Sequence, residues 1–238
     1  MSEFKYVGEE LELFATARNW KSYWASRLRP FVTGDVLEVG AGIGSNTLIL
    51  DSDRCKRWVC LEPDPQLAAR LRKRLAERAT ADRYEIVCGT IEAFLGSKEQ
   101  FDTIIYIDVL EHIENDQEEL QKAASVLRPG GRVIVLSPAH QSLFTLFDAA
   151  VGHFRRYNRA MLQAITPHGL QPLEMAYLDS VGLVLSLANL KLLRQSMPTK
   201  AQLRIWDKCA IPTSRVLDKC FFGTIGKSIV VVWERVSA

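Results

Sequence analysis

Several patterns that would place this chain in a common class are missing from its sequence. It has no run of about 18 apolar residues, so no membrane-spanning helix is predicted, and Met1–Lys5 lacks the apolar stretch of a secretory signal peptide. Its five cysteines include no C-x-x-C pair, and their odd number argues against a complete disulfide framework. We therefore expect a protein of the reducing cytoplasm, and we assign no metal ligands from the sequence.

The sequence also has little excess of one sign of charge over the other. Among 238 residues, 30 are Lys or Arg and 28 are Asp or Glu, which gives a net charge of +2 and a pI near 8.3. A nucleic-acid-binding protein usually has a concentrated basic face and a pI above about 9, so no nucleic-acid partner is predicted. With 47% hydrophobic residues, the chain should form one α/β domain that folds alone, as a monomer or homodimer.

Short apolar runs alternate with helical patterns along the chain. This alternation is typical of a parallel sheet covered by helices on both faces, so the predicted fold class is doubly wound α/β. Five core strands are predicted at residues 35–39, 57–61, 84–88, 102–107 and 132–137. Two further strands are predicted at residues 170–177 and 228–234.

Helix signals lie between these strands. Asp64 and Pro65 are typical of the cap and the first position of a helix. The inner face of that helix is formed by Leu67, Leu71 and Leu75. A second helix is predicted over about 116–127, and Pro129-Gly130-Gly131 is expected to end it.

The most informative stretch is Val36-Leu37-Glu38-Val39-Gly40-Ala41-Gly42-Ile43-Gly44, where an apolar strand with one acid runs into three alternating glycines. Glycine adopts positive φ and lets a ligand approach the backbone, because no Cβ is in the way. The helix that follows would point its N-terminus at the same place. A dinucleotide fingerprint, G-x-G-x-x-G, would need glycine where the chain has Ser45, so the pattern is G-x-G-x-G instead.

Together with Glu38, this turn resembles motif I of the class I S-adenosylmethionine-dependent methyltransferases. Further segments resemble that family in the same order along the chain: Cys60–Asp64, Cys88–Phe94, Ile107–Ile113 with its D-V-L-E-H run, and Leu127–Gly131. The resemblance implies a Rossmann-like seven-stranded sheet with strands 6 and 7 antiparallel at one edge. It also implies S-adenosylmethionine as cofactor and S-adenosylhomocysteine as product.

The family positions imply a cofactor site. The acid at Glu38 would lie near the methionine part of the cofactor, and the acid at Glu62 would accept both ribose hydroxyls. An NAD-dependent enzyme has an acid at a similar spacing after its glycine turn. The presence of Glu62 therefore does not distinguish S-adenosylmethionine from NAD as the cofactor. Either Thr90 or Glu92 would face the adenine, with Ile91 as an apolar wall. The implied cofactor-binding residues are Glu38, Gly40, Ala41, Gly42, Gly44, Glu62, Pro63, Thr90, Ile91, Glu92, Asp108 and Val109.

Helical additions flank the core. Residues 1–34 lie where family members often have a helix that covers the cofactor, and Trp20 and Trp24 there are expected to pack in the core. Three neighbouring residues could instead touch the cofactor carboxylate: Arg18, Asn19 and Tyr23. The predicted organisation is a helical lid at 1–34 and a methyltransferase domain at 35–238, with an insertion at 178–227 that caps the acceptor pocket.

The insertion is a departure from the family, which usually has a short connection before the last strand. It is rich in helix formers. Its leucine stripe is expected to pack in the core, because amphipathic helices bury that face by default. The stripe consists of Leu183, Leu187, Leu190 and Leu193.

A polar run follows the fifth strand, where the family places residues that contact the acceptor. It reads Gly152-His153-Phe154-Arg155-Arg156-Tyr157. Arg155 and Arg156 can bind carboxylate, phosphate or sugar oxygens of a substrate. Alternatively, the two arginines pair with acids such as Asp148 and only anchor the loop.

Methyl transfer from a sulfonium needs mainly alignment and exclusion of water, and it needs a general base where the acceptor is a hydroxyl. The predicted bases are His153 and His112, with Tyr157 as a positioning group and His140 as a third, weaker candidate.

The chain lacks the D-P-P-Y and Pro-Cys signatures of enzymes that methylate nucleic-acid bases. The predicted function is methylation, at oxygen, of a small molecule or a sugar- or lipid-linked metabolite. The alternatives are an NAD(P)-dependent oxidoreductase and a non-catalytic partner protein of the same fold.

Overall fold

The structure, a computed structural model, describes residues 16–78, 80–189 and 199–236. They contain the strands β1 Gly34–Val39, β2 Cys55–Glu62, β3 Tyr84–Cys88, β4 Phe101–Ile107, β5 Leu127–Pro138, β6 Leu170–Leu178 and β7 Ser228–Arg235. The strands form one sheet in the order β3-β2-β1-β4-β5-β7-β6. β7 runs antiparallel to both β5 and β6, and the other pairs are parallel. This is the predicted fold class, with the antiparallel pair at one edge.

Helices lie on both faces of this sheet. They are α1 Arg18–Leu28, α2 Thr47–Leu50, α3 Pro65–Ala76, α4 Asp116–Ser125, α5 Leu146–Ala150, α6 Arg159–Ala164, α7 Ser180–Ala188, α8 Lys200–Ile205 and α9 Ile211–Cys220. A π-helical turn, Trp206–Ala210, joins α8 to α9. α4 and α6 pack on one face, and α1 and α3 pack on the other. Within the described ranges, every helix is too short or too polar to cross a membrane.

The apolar strands fill two cores at once. Successive residues of a strand point to opposite faces, so a continuous apolar run contributes to both. Leu37 of β1 packs in one buried cluster with Leu120 of α4, whereas Val36 packs in the other with Trp24 of α1. The alternation of apolar strands and helices in the sequence therefore predicted the layers correctly.

The largest difference in element bounds is at the start of β5. The expected helix stop, Pro129-Gly130-Gly131, lies inside the strand, and α4 has already ended at Ser125. Pairing of β5 with β4 begins at Leu127 and shifts register before Arg132. Pro129, Gly130 and Gly131 thus form an irregular start of β5, because a β-bulge can accommodate residues that do not pair regularly.

Carboxylates of the insertion hold α1 in place. The first N–H groups of a helix have no partner inside it. In α1, Asp207 accepts from the backbone N–H groups of Trp20 at 2.9 Å and Asn19 at 3.3 Å. Tyr23 donates its hydroxyl hydrogen to Asp218 at 2.8 Å. Helix α1 is therefore fixed by residues much later in the chain.

The leucine stripe of the insertion is only partly as expected. Leu187 is 39% exposed, so the expectation of core packing is wrong for this residue, and Leu183 is partly buried. The other two members, Leu190 and Leu193, lie outside the described residues. The buried residues of α7 are Ser180 and Gly182, and the N–H of Gly182 donates to the capping carboxylate of Asp179.

Candidate active site

The strand order creates a crevice between β1 and β4. From β1 the sheet continues through β2 to β3, and from β4 it continues in the opposite direction through β5. In open α/β sheets, ligands bind at the carboxyl ends of the strands where the order reverses in this way. The glycine turn follows β1 and Asp108 follows β4, so both border this crevice.

The glycine turn has the backbone conformation that its sequence predicts. Gly40, Gly42 and Gly44 have φ values of 67°, 55° and 75°. A Cβ at Gly40 would lie 2.6 Å from Val109, and one at Gly44 would lie 2.4 Å from Leu71. The turn is therefore pressed between the loop after β4 and helix α3, where a side chain does not fit. The helix after the turn, α2, is a single turn long.

Glu62, at the end of β2, holds the glycine turn with its carboxylate. Its Oε2 accepts from the backbone N–H of Gly42 at 2.7 Å, and its Oε1 accepts from that of Asp64 at 2.9 Å. The residue is buried, and burial raises the pKa of Glu62 against the effect of these two bonds. Asp64 caps α3, as predicted, by accepting from the N–H groups of Gln66 and Leu67.

Glu38 is buried in β1, just before the glycine turn. Its Oε2 accepts from the hydroxyl of Thr47 at 2.6 Å and from the indole N–H of Trp58 at 2.9 Å. Burial raises the pKa of Glu38 to about 7, although the two hydrogen bonds and the charge of Lys21 act in the opposite direction. The ionised carboxylate is thus destabilised by its surroundings and would be favoured by a further cation.

The raised pKa of Glu38 predicts a pH-dependent stability difference between the wild type and Glu38→Gln. The stability that this group contributes is full below its ordinary pKa near 4.5 and is lost as the pH rises through about 7. Glutamine does not titrate and still accepts from Thr47 and Trp58. The unfolding free energy of the variant should therefore exceed that of the wild type at pH 8 by up to about 3 kcal/mol, and its Tm should be higher.

Thermal denaturation from pH 5 to pH 8 measures this difference, which should shrink as the pH falls. Glu85→Gln is the matched control, since Glu85 is an exposed strand residue paired with Arg57. A difference between wild type and Glu38→Gln that stays constant over this pH range would contradict the prediction.

Lys21 of α1 was missed by the sequence analysis. Its Nζ donates to Ser45 Oγ at 2.7 Å and to Asn46 Oδ1 at 2.8 Å, which places the ammonium at the end of the glycine turn. Burial lowers the pKa of Lys21 to about 8, although Asp108 and Glu38 act in the opposite direction. Such an ammonium is suited to bind a carboxylate of a ligand. Nothing in the sequence near Lys21 indicated this contact, because Ser45 and Asn46 approach it only in the fold.

The three residues proposed for that role from the sequence have other surroundings. Asn19 donates its side-chain amide hydrogen to the carbonyl of Asp207 at 3.0 Å. Tyr23 is buried, with its hydroxyl on Asp218. Arg18 is exposed at the start of α1. Lys21 is therefore the better placed cation.

The segment after β3 contains the residues predicted to face an adenine ring. Thr90 donates its hydroxyl hydrogen to Glu92, and Lys122 donates to the same carboxylate at 2.7 Å. The bonds from Lys122 and Thr90 lower the pKa of Glu92 to about 2. Ile91 is fully buried in the core. Both polar candidates are exposed and bonded to each other, and Glu92 is also paired with Lys122.

The polar run after β5 is organised by one buried carboxylate, Asp148. Arg156 donates to it through Nε at 2.8 Å and through its terminal nitrogen at 2.9 Å. Nδ1 of His153 lies 3.0 Å from Oδ1. Burial alone would raise the pKa of Asp148, but the bonds from His153 and Arg156 hold it well below its usual value. Of the two roles considered for Arg156, the structure shows the pairing that anchors the loop.

Arg155 and Tyr157 both bind the first residue of α4, Asp116. Arg155 lies 2.5 Å from the Asp116 carboxylate and donates to the carbonyl of Glu114 at 2.7 Å. Tyr157 is fully buried, and its hydroxyl donates to Asp116 at 2.7 Å. Burial raises the pKa of Tyr157 far above its usual value. These placements give both side chains a structural contact.

Two of the predicted histidines come together with Glu111. The ring centroids of His112 and His153 are 4.5 Å apart. Glu111 is fully buried, and its Oε2 accepts from the hydroxyl of Ser137 at 2.9 Å. Its Oε1 lies 4.0 Å from Nε2 of His153. Burial and the neighbouring His153 lower the pKa of His112 to about 4, so this imidazole is neutral near pH 7.

Asp108 connects the glycine turn with these histidines. It has a φ of 54°, which L-residues seldom adopt. The surrounding protein raises the pKa of Asp108 to about 6, while the charges of His153, Lys21 and Lys227 act in the opposite direction. These three side chains come from three separate parts of the chain. Asp108 therefore lies near both Lys21, at the glycine turn, and His153, in the loop after β5.

The third histidine, His140, is used in packing. Its ring stacks on Tyr177 with centroids 4.9 Å apart, and its Nε2 lies 2.9 Å from the carbonyl oxygen of Gly226. The adjacent Lys227, which sequence analysis missed, holds its ammonium 5.2 Å from the ring centroid of Trp206. Burial lowers the pKa of Lys227.

Comparison with known proteins identifies the central part of the chain. A protein-family model described as "Methyltransferase domain" matches residues 37–135. This stretch runs from β1 into β5 and contains the glycine turn, Glu62 and the residues after β4. It confirms the resemblance found in the sequence.

Two curated relatives share parts of the chain. The ubiquinone/menaquinone biosynthesis C-methyltransferase UbiE of Roseobacter denitrificans is 28% identical over 138 residues, which is 55% of this chain and 55% of that protein. Ribosomal RNA small subunit methyltransferase A of Rhodococcus erythropolis is 54% identical over 54 residues, or 22% of this chain and 18% of that protein. The chain thus matches about half or less of the length of these relatives.

A solved structure shares the fold over most of the chain. The N-methyltransferase NodS from Bradyrhizobium japonicum, in complex with S-adenosylhomocysteine, aligns with a TM-score of 0.57 and 15% identity. The alignment covers 92% of this chain and 88% of that one. This likeness confirms the predicted architecture.

Proposed function

We propose, from the premise that residues 37–135 are a methyltransferase domain of the class I fold, that the chain transfers a methyl group from S-adenosylmethionine. The acceptor we propose is an oxygen of a small molecule or of a sugar- or lipid-linked metabolite. The observation that carries the proposal is the glycine turn after β1, closed by Glu62 where the strand order reverses.

The residues around the crevice fit this cofactor. The carboxylate of Glu62 can accept from the two ribose hydroxyls, and Thr90 can meet the adenine edge. Glu38 supplies an anion for the ammonium, and Lys21 supplies a cation for the carboxylate. When bound, S-adenosylmethionine supplies a methyl group on a sulfonium, which is already activated for displacement. The protein then has to align the acceptor and keep water out.

His153 is the group proposed to take the proton of an acceptor hydroxyl. Asp148 is held ionised and accepts from Nδ1, so the lone pair of the neutral ring is on Nε2. The acceptor oxygen loses its proton to Nε2 and gains the methyl group. A neutral amine or a carboxylate would not need such a base, so an oriented imidazole supports a hydroxyl acceptor.

A small acceptor is favoured over nucleic acid. The net charge of +2 is small for a nucleic-acid-binding protein, and the run Asp108–His112 lacks the signature of enzymes that methylate base amino groups. The relative named for ribosomal RNA matches only 22% of the chain.

Calorimetric titration of the full chain with S-adenosylhomocysteine tests the cofactor, with NADPH titrated in parallel. We expect micromolar binding of the first and none of the second. Binding of NADPH alone would overturn the proposal in favour of an oxidoreductase, and binding of neither would favour a non-catalytic partner protein. Methyl transfer from radiolabelled S-adenosylmethionine to hydroxylated small molecules, with ribosomal RNA as a separate arm, then tests the acceptor.

His153→Gln should lower turnover with an active acceptor by about 10²-fold or more, which is the usual contribution of a general base. The affinity for S-adenosylhomocysteine should stay unchanged, because His153 lies on the acceptor side. His168→Gln is the matched control, since His168 is exposed. Unchanged turnover in His153→Gln would remove this residue from the proposed site.

A further inference from the structure

We propose that Glu111, His112 and His153 bind a divalent first-row transition-metal ion that holds the acceptor oxygen. The role of the ion rests on the proposed function, whereas the binding site rests on geometry alone. Each residue offers one ligand atom, and these atoms lie within 4.8 Å of one another. Two imidazoles and one carboxylate on one side of an ion leave positions open for an oxygen of a substrate.

An unpaired oxygen on Glu111 is the strongest observation. Glu111 is fully buried, and its Oε1 has no hydrogen-bond partner within the described part of the chain. This atom lies 4.0 Å from Nε2 of His153. A buried acceptor without a partner costs about 1–3 kcal/mol, and more for a charged group. Coordination of an ion by Oε1 would remove this cost.

The backbone holds the three ligands near each other. Glu111 and His112 are neighbours in the 3₁₀ turn Leu110–His112. The loop that carries His153 is fixed to this turn, because the N–H of Phe154 donates to the carbonyl of Glu111 at 2.8 Å. Ligand atoms about 2.1 Å from an ion lie about 3–3.5 Å apart. The present spacing of up to 4.8 Å is therefore wider than that of a bound ion, and binding requires the side chains to move closer together.

Asp148 gives His153 the orientation of a metal ligand. Metal-binding histidines usually donate their other ring N–H to a carboxylate, which fixes the tautomer and leaves one nitrogen for the ion. Nδ1 of His153 faces Asp148 at 3.0 Å, while Nε2 faces Glu111. The two bonds from Arg156 hold Asp148 in turn. The role of Arg156 is therefore to position Asp148 behind the ligand.

The donor set selects the class of ion and its effect. Imidazole nitrogens with one carboxylate suit Mn²⁺, Fe²⁺, Co²⁺ or Zn²⁺, whereas Mg²⁺ and Ca²⁺ prefer oxygen ligands throughout. Such an ion would bind the acceptor hydroxyl and lower its pKa, so that the hydroxyl would lose its proton to water on binding, before water is excluded and the methyl group is transferred. Nε2 of His153 then serves as a ligand and no longer as the base.

Titration of the full chain, freed of metal by chelation, with Co²⁺ tests the site. We expect one equivalent to bind, with visible d–d absorption bands and without the near-ultraviolet band of cobalt bound to thiolate. The absence of the thiolate band would show that cobalt is not bound by the exposed cysteines Cys88, Cys209 and Cys220. Glu111→Gln and His153→Gln should each weaken Co²⁺ binding by 10-fold or more, and the control His168→Gln should not change it.

Titration of each preparation with S-adenosylhomocysteine separates this proposal from the proposed function. Retained binding of S-adenosylhomocysteine by Glu111→Gln with loss of the cobalt bands would support the metal site and show that the variant is folded. Cofactor binding without cobalt bands in the wild type would overturn the metal site and leave His153 as the base. Cobalt bands that persist unchanged in Glu111→Gln and His153→Gln would overturn it as well. Cobalt binding without cofactor binding would instead overturn the proposed function.

Discussion

Replacing Glu62 with alanine should lower the affinity for S-adenosylhomocysteine by 10²-fold or more. Each hydrogen bond to a charged group contributes about 1.5–3 kcal/mol, so the loss of two ribose contacts amounts to about 3 kcal/mol at least. The same change leaves the N–H groups of Gly42 and Asp64 without their acceptor, and the glycine turn loses its closure. Calorimetric titration measures the change in Kd.

Asp64→Ala is the matched control for this experiment. It removes the cap of α3 next to Glu62 and should cost about 0.5–2 kcal/mol of unfolding free energy. The affinity for S-adenosylhomocysteine should stay within about 2-fold. If Glu62→Ala bound as tightly as the wild type, the assignment of Glu62 to the ribose would be wrong.

Gly40→Val should abolish measurable binding of S-adenosylhomocysteine and lower the unfolding free energy by about 3 kcal/mol or more. The φ of 67° at Gly40 is strained for any residue with a Cβ, and valine is branched there. The new Cβ would also lie 2.6 Å from the side chain of Val109. Strain costs about 1–3 kcal/mol, and overpacking adds about 1–3 kcal/mol. Chemical denaturation and calorimetry measure the two effects.

Gly96→Val separates strain from collision. Gly96 has a φ of 75°, yet no atom lies within 4 Å of the position of a Cβ there. This variant should lose about 1–3 kcal/mol of stability and keep its affinity for S-adenosylhomocysteine. Equal losses of binding in the two variants would mean that general destabilisation, and not the shape of the turn after β1, is responsible.

The features that the sequence predicted are local ones. The positive φ values of Gly40, Gly42 and Gly44 follow from the residue type, and the cap formed by Asp64 follows from its place before Pro65. The strands were recognisable because their apolar runs fill both faces of the sheet. Such signals depend on residues close together in the chain, so the family resemblance and the fold could be predicted.

The features that were missed or left open depend on residues far apart in the chain. The sequence offered two roles for Arg156, and only the burial of Asp148 favours the anchoring one. The sequence analysis assigned no metal ligands, because His153 reaches Glu111 only through the folded loop after β5. Lys21 was overlooked for the same reason. Spacing along the chain carries no information about such contacts.

The expectation for Leu187 was wrong for a different reason. Periodicity predicts that a helix has an apolar side, but not which side faces the core. The start of α7 is tied to α9, because Asp218 accepts from the N–H groups of Asp179 and Ser180, and Leu187 is exposed in this position.

The position of β7 between β5 and β6 has a consequence for protein synthesis. β5 leaves the ribosome well before β7, because all of 139–227 is made in between. During that interval the edge of β5 that later pairs with β7 carries the apolar residues Val133, Ile134 and Val135 without a neighbour. An uncovered apolar edge tends to pair with strands of other chains. A nascent chain that stops before residue 228 is therefore expected to need a chaperone to stay unaggregated.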